Sequence, residues 1–165
     1  MPEKETRARA EEDKRAGMAP STQAGEFVRE EMHHVREGKH GARSAKQAIA
    51  IGLSKARRAG VKLKPPRKGR ASAKTRQSAR YALRRARSRK KPSATRSRAI
   101  RAALRREGRS AASRRSLARQ TRSAARRRGA RARSAAAKKA VRTKGPGARS
   151  AAARKAARTR IRRSG

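Results

Sequence analysis

"QAGEFVREEMHHVREGKHGARSAKQAIAIGLSKARRAG", residues 23–60, holds seven of the chain's 18 Ile, Leu, Val, Met, Phe and Tyr residues. Ala24, Val28, Met32 and Val35 fall on one stripe at helical spacing, with Phe27 beside it. The spacing predicts a helix over 22–37, capped by Ser21 or Thr22. Glu26 lies in its first turn, where the helix dipole favours an anion, and Gly38 can close it in the left-handed conformation. After "GKHGARS", Ser44 is followed three residues later by Gln47, the capping-box pattern. Ala45, Ala48, Ile49, Gly52, Leu53 and Ala56 then recur at helical spacing, and "KARRA" leads into Gly60. A second helix is expected over 45–59. Two helices joined by a short loop form a hairpin, with an expected core of Phe27, Val28, Met32, Val35, Ile49 and Leu53. Ile51 lies off that stripe and is expected to meet an N-terminal helix, or Val61 and Leu63.

Working outward, residues 3–16 read as a helix charged on nearly all faces, with no core stripe and frayed ends. Gly17 and Pro20 close it. "KLKPPRKGRA" marks a change on the other side. Pro65-Pro66 favours extended backbone, and the composition shifts there. Residues 1–66 carry a net +6, whereas 67–165 carry 38 cations against the single carboxylate of Glu107. The expected organisation is a small helical domain over 1–64, a Pro/Gly basic linker over 65–71, and an Ala/Arg/Ser/Lys-rich tail over 72–165. The fold class is all-α: a helical hairpin plus an N-terminal helix, followed by a long basic tail that is largely disordered or weakly helical.

The tail keeps helix punctuation. "SRAIRAALRREG" ends at Gly108, "SRRSLARQTRSAARRRG" at Gly129, and "SAAAKKAVRT" runs towards Gly145-Pro146. Ser97, Ser113 and Ser134 stand as caps. Ala and Arg favour helix, while like charges at i,i+4 oppose it. "RARSAAAKKAVRTK" (131–144) repeats as "GARSAAARKAARTR" (147–160) at a 16-residue offset. That is either a repeated phosphate-binding helix or a simple expansion of an Ala/Arg tract.

Charge decides the class of partner. The formal net charge is +43 over 165 residues, and self-repulsion at that density opposes compaction unless a polyanion relieves it. Thirty of the 38 cations after residue 66 are Arg, the residue that grips phosphate bidentately and enters narrow minor grooves. The expected contact set is Arg84, Arg85, Arg105, Arg106, Arg114, Arg115, Arg126, Arg127 and Arg128, then Lys138, Lys139, Arg154 and Lys155. Arg67, Lys68, Gly69 and Arg70 in "PPRKGRA" resemble an AT-hook, although the first Arg of its core and the Pro after it are missing; the plainer reading is a basic linker. Lys39 and Arg43 in "GKHGARS" sit where free helix amides could hold a phosphate; the plainer reading is a turn with incidental charge. With one Phe, one Tyr and no Trp, base stacking has little support, which favours duplex over single strands.

Other chemistries find little footing. With no Cys, disulfides and thiolate zinc sites are excluded. His33, His34 and His40 are the histidines; the first two point about 100° apart on a helix, so surface histidines and no metal are expected. No catalytic constellation stands out, so neither an enzyme nor a cofactor is expected. No apolar run approaches membrane-span length and no signal peptide opens the chain, which leads to an expectation of a cytoplasmic, nucleoid location without a membrane partner.

The segment 20–63, through "QAGEFVREEMHHVREGKHGARS" and "KQAIAIGLSKARRAG", resembles a family of small basic bacterial proteins. Their shared N-terminal domain is of unknown function, and members are sometimes labelled DNA-binding. "KTRQSARYAL" and "RAIRAALRREGRSAASRRSLARQTRSAARRR" look like the basic extensions of such proteins, and the tail is similar in composition to bacterial histone H1-like proteins. The resemblance implies a bacterial, cytoplasmic protein and supplies no catalytic residues. The expected function is non-enzymatic, largely sequence-independent binding of double-stranded DNA in a nucleoid-associated, histone-like role. An RNA- or ribosome-associated protein is the alternative. A further one is a head that binds a protein partner through Phe27, Ile51 and Leu53 while the tail tethers it to nucleic acid. Oligomeric state is left open.

Overall fold

The structure is a computed structural model and describes residues 2–88 and 93–164. It is helical, with no strand among the described residues. In chain order the helices are α1 (Lys4–Arg15), α2 (Pro20–Glu37), α3 (Ala45–Arg58), α4 (Ala73–Arg87), α5 (Ala94–Arg106) and α6 (Arg114–Ser164), with a 3-10 turn at Ser110–Ala112 before α6. Contacts divide the chain into one unit over residues 1–120 and a second over 121–165.

The hairpin of α2 and α3 is the centre of the first unit. α2 begins two residues earlier than the periodicity predicts, because Pro20 takes the first helical position, where its missing N–H costs nothing. Its N-cap, Ala19, supplies no side-chain bond, so Ser21 and Thr22 are not the cap. At the other end Gly38 is left-handed (φ 79°) and its amide returns to the last turn, as expected. α3 opens on Ser44, whose Oγ accepts from Gln47 N at 3.3 Å. Gln47 Oε1 reaches back to Arg43 N at 2.8 Å, one residue before the usual capping-box donor.

Two apolar clusters hold this unit. Phe27, Ala24, Ala56, Val61 and Ala10 form one, with Leu53 and Leu63 against it. Met32, Val35, Ala42, Ala48, Ala111 and Ala112 form the other, with Val28, Ile49 and Leu117 against it. All six expected core residues are in these clusters, and most of the remainder is Ala. Small residues let the helices approach closely. At Gly52 an added Cβ would sit 2.7 Å from Val28 Cα. Ile51 is half-buried. α1 does have a buried face, contrary to expectation: Thr6 is fully buried and Ala10 nearly so. They lie at i,i+4, and the face is narrow because both are small.

Packing continues past the linker. Ala79 and Ala82 of α4 are buried, and α4 packs against α3. The 3-10 turn packs on α2 and α3 through Ala111 and Ala112. The expected disorder of the basic tail is not borne out, since helix runs through Ser164. Ser93 and Ser113 cap α5 and α6 by accepting from Arg96 N and Ser116 N. Ser113 is one of the caps read from the sequence; the cap of α5 lies four residues before Ser97.

In the second unit α6 is interrupted at Gly129 (φ 72°, ψ 165°) and Gly145 (φ 64°, ψ 170°). These glycines stand at the punctuation expected from sequence, and their spacing equals the offset of the internal repeat. Positive φ admits glycine at little cost, and Pro146 restarts the helix where its lack of an N–H does no harm.

Candidate nucleic-acid interface

Carboxylates of the head pair with cations of the head. Arg9 Nε binds Glu26 Oε2 at 2.7 Å. Lys39 Nζ lies 3.1 Å from Glu37 and 3.3 Å from Glu3. Hydrogen bonds from His34 and then Lys39 hold the Glu3 carboxyl below the usual carboxylate range, and Glu37 first, then Glu3, push the Lys39 ammonium up.

Beneath these pairs lies a buried charged cluster. Lys55 Nζ sits 2.7 Å from Glu31 Oε2 and 3.2 Å from Glu30 Oε1. Both carboxylates are almost completely buried. Desolvation is the largest influence on Glu30 and raises its pKa, but hydrogen bonds from Thr6 and Lys55, Lys55's charge, and the Glu3 amide together outweigh it and leave the carboxyl below its ordinary range. Glu31 Oε1 faces His40 Nε2 at 3.3 Å. Neither Glu31 oxygen accepts a well-aligned hydrogen bond, so its contacts with Lys55 and His40 are electrostatic. On the far side of α3, Arg57 is buried with Nε on the Leu63 carbonyl at 3.2 Å, and burial lowers its pKa.

"GKHGARS" is tied into the fold by its backbone. Gly41 N donates to Leu104 O at 2.8 Å and Ala42 N to Gly108 O at 3.1 Å, while Lys39 N returns to His34 O. Arg43 N is taken by Gln47. The amides of Lys39, Gly41 and Ala42 therefore bind backbone carbonyls, and Gly41 is required there because a Cβ would overlap the Glu107 carbonyl. The Lys39 and Arg43 side chains are exposed, with Lys39 ion-paired. Arg67, Lys68, Gly69 and Arg70 are exposed in a turn, with Gly69 at φ 81° and Arg70 N on Arg67 O.

The remaining expected contacts lie on helices. Arg84, Arg105, Arg106, Arg114, Arg115, Arg126, Arg127, Arg128, Lys138, Lys139, Arg154 and Lys155 are exposed, and Arg85 is half-buried. Arg84 stands over the Tyr81 ring at 6.0 Å. Arg126, Arg127 and Arg128 are consecutive, about 100° apart around the helix, so they sweep a broad arc of the surface.

One grouping was not read from the sequence. Arg36 of α2, Arg109 and Arg114 line an open cavity of about 430 Å³ with Ala112 and Ser113, at the start of α6. Arg36 Nε donates to Ala112 O at 3.1 Å, which brings the three cations together. Arg36 and Arg109 lie 73 residues apart, and nothing in local periodicity pairs them. The histidines also depart from expectation. His33 is exposed, but His34 and His40 are largely buried, with side-chain exposures of 12% and 19%. The loop folds His40 back onto α2, a contact invisible to helical spacing.

Fold and surface together define an all-helical, strongly basic protein with an ion-paired head. Residues 20–68, which cover α2, its loop, α3 and the segment that follows, match a family described as a family of unknown function (DUF6496). This agrees with the resemblance seen in the sequence, in a domain of unknown function. No curated protein and no solved structure matches the chain. No helix among the described residues is long and apolar enough to cross a membrane.

Proposed function

We propose that this chain binds nucleic acid, duplex DNA foremost, through phosphate contacts along α4, α5 and α6, largely without reading sequence. The observation that carries the reading is the segregation of charge. The head pairs most of its carboxylates with its own cations, whereas residues 67–165 hold 38 cations against one carboxylate, and those described on α4, α5 and α6 are largely exposed. Their net +37 matches the phosphates of roughly 20 base pairs, at one charge per ~1.7 Å of duplex. The Arg36, Arg109 and Arg114 cavity adds a place for a phosphate beside the head.

In this reading the role is non-enzymatic and histone-like, and the protein works on the nucleoid. Arginine grips phosphate at many points, each replaceable, so affinity is high and sequence preference low. The test is competition at equal salt. Labelled 40-base-pair duplex bound to the full chain is challenged with unlabelled duplex of unrelated sequence, structured RNA, and polyglutamate. Displacement by duplex at equal concentration, with RNA several-fold weaker and polyglutamate far weaker, supports the reading. Stronger displacement by RNA moves the function to RNA. Equal displacement by polyglutamate removes nucleic acid as the specific partner.

A further inference from the structure

We propose that Glu31, His34 and His40 form a binding site for one divalent transition-metal ion of the zinc class, which ties the 38–44 loop to α2. One ligand atom from each of the three residues lies within 4.8 Å of the others. Around a tetrahedral ion with bonds near 2.0–2.1 Å, ligand atoms stand about 3.3 Å apart. The remaining closure is within the reach of side-chain torsions. Two imidazoles and a carboxylate are a donor set suited to zinc and its neighbours, and they leave a fourth position for water.

Three features favour a cation here. First, the far nitrogen of each ring is already committed. His34 Nε2 lies 2.8 Å from Glu3 Oε1, and His40 Nδ1 lies 3.1 Å from the Gly41 carbonyl. A ring N–H donating outward to a carboxylate or carbonyl is the usual support of a metal-bound histidine. It leaves His34 Nδ1, 3.9 Å from Glu30 Oε1, and His40 Nε2, 3.3 Å from Glu31 Oε1, as the donor atoms turned towards the buried carboxylates. Second, His40 Nε2 faces Glu31 Oε1 at 3.3 Å without an aligned hydrogen bond, so one small cation between the two atoms would bind both. Third, Glu31 is fully buried and neither of its oxygens accepts a hydrogen bond. Glu30 and Glu31 share the single ammonium of Lys55, so two buried carboxylates divide one lysine charge between them.

The site consists of α2 residues three apart in sequence and a loop residue six further on. The ion would hold His40, and with it Gly41 and Ala42, whose amides carry the backbone of residues 104–108. Metal binding would therefore support the docking of that segment as well as the loop. This inference does not depend on nucleic-acid binding.

The experiment uses the untagged full chain, stripped with chelator and titrated with Zn²⁺ and separately with Co²⁺. The expected result is one equivalent bound, a visible Co²⁺ absorption of four-coordinate intensity, and a melting temperature raised by about 10 °C at a free metal concentration a hundred times the dissociation constant. His40→Gln and His34→Gln should each abolish the Co²⁺ spectrum, and His33→Gln should keep it. Circular dichroism of each variant separates lost binding from lost folding. If either variant unfolds, the wild-type stoichiometry and spectrum decide. No saturable binding at one equivalent, or binding retained in folded His40→Gln, would overturn the proposal.

Discussion

Lys55 is the residue on which the head's interior charge balance turns. It is the ammonium that two buried carboxylates share, and its own side chain is only 16% exposed. Removing one partner of a buried ion pair typically costs about 3–5 kcal/mol, because the charge left behind is unsolvated. Lys55→Met keeps the stem and removes the charge. It should destabilise the head by about 3 kcal/mol, measured as a shift in the urea midpoint. A change under about 0.5 kcal/mol, the range of ordinary surface substitutions, would show that the pair is not buried in solution. Gly41 makes a second claim at this scale. Any Cβ there would meet the Glu107 carbonyl, so Gly41→Ala should cost about 3 kcal/mol and free residues 104–112 from the head. Hydrogen exchange at the Gly41 and Ala42 amides would rise sharply if so. Unchanged protection would contradict the docking.

At the scale of the element, the hairpin was legible in the sequence because its signals are local. The Val28, Met32 and Val35 stripe, Gly38, Ser44 with Gln47, and Gly60 each act within one or two turns. What the sequence reading lost was non-local or small. Ala111 and Ala112 complete the core from a segment more than 50 residues beyond α3, and alanine carries no signal that separates a buried position from a helix-favouring surface one. Thr6 and Ala10 were hidden for the same reason among charged neighbours. The start of α2 was misplaced because Pro20 both stops a preceding helix and opens a following one. The docking of "GKHGARS" onto residues 104–108 was not legible either, because its amides meet backbone acceptors that no local pattern announces. On α6, Arg126, Arg127 and Arg128 are exposed just before the Gly129 break. Replacing all three by Ala should weaken duplex binding and reduce the salt slope by about three counterions. The substitution should leave helix content unchanged or slightly raised, since Ala is the better helix former and like charges are removed. An unchanged slope would take this cluster out of the contact set.

Over the whole molecule, two different uses of charge lie along one chain. Residues 1–66 spend part of it internally, on pairs that join α1, α2 and α3 around a small alanine-rich core. Residues 67–165 carry it outward, with Glu107 the one opposing carboxylate. Helices this rich in like charge resist their own formation, and a polyanion relieves the repulsion. Binding should therefore raise the thermal stability of the helices after residue 66 more than that of the head. Helical ellipticity followed through a melt with and without duplex would read this. An equal gain in both regions would contradict it.

The most direct measurement is the salt dependence of full-chain binding to a 40-base-pair duplex, followed by fluorescence anisotropy from low to high salt. Each phosphate contact contributes about 0.9 to the slope of log affinity against log salt. If exposed cations along α4 to α6 make the interface, the slope should exceed ten in magnitude and should be the same for duplexes of unrelated sequence. A slope of two or three, or one that changes with sequence, would contradict the account and place recognition in a small, specific site instead.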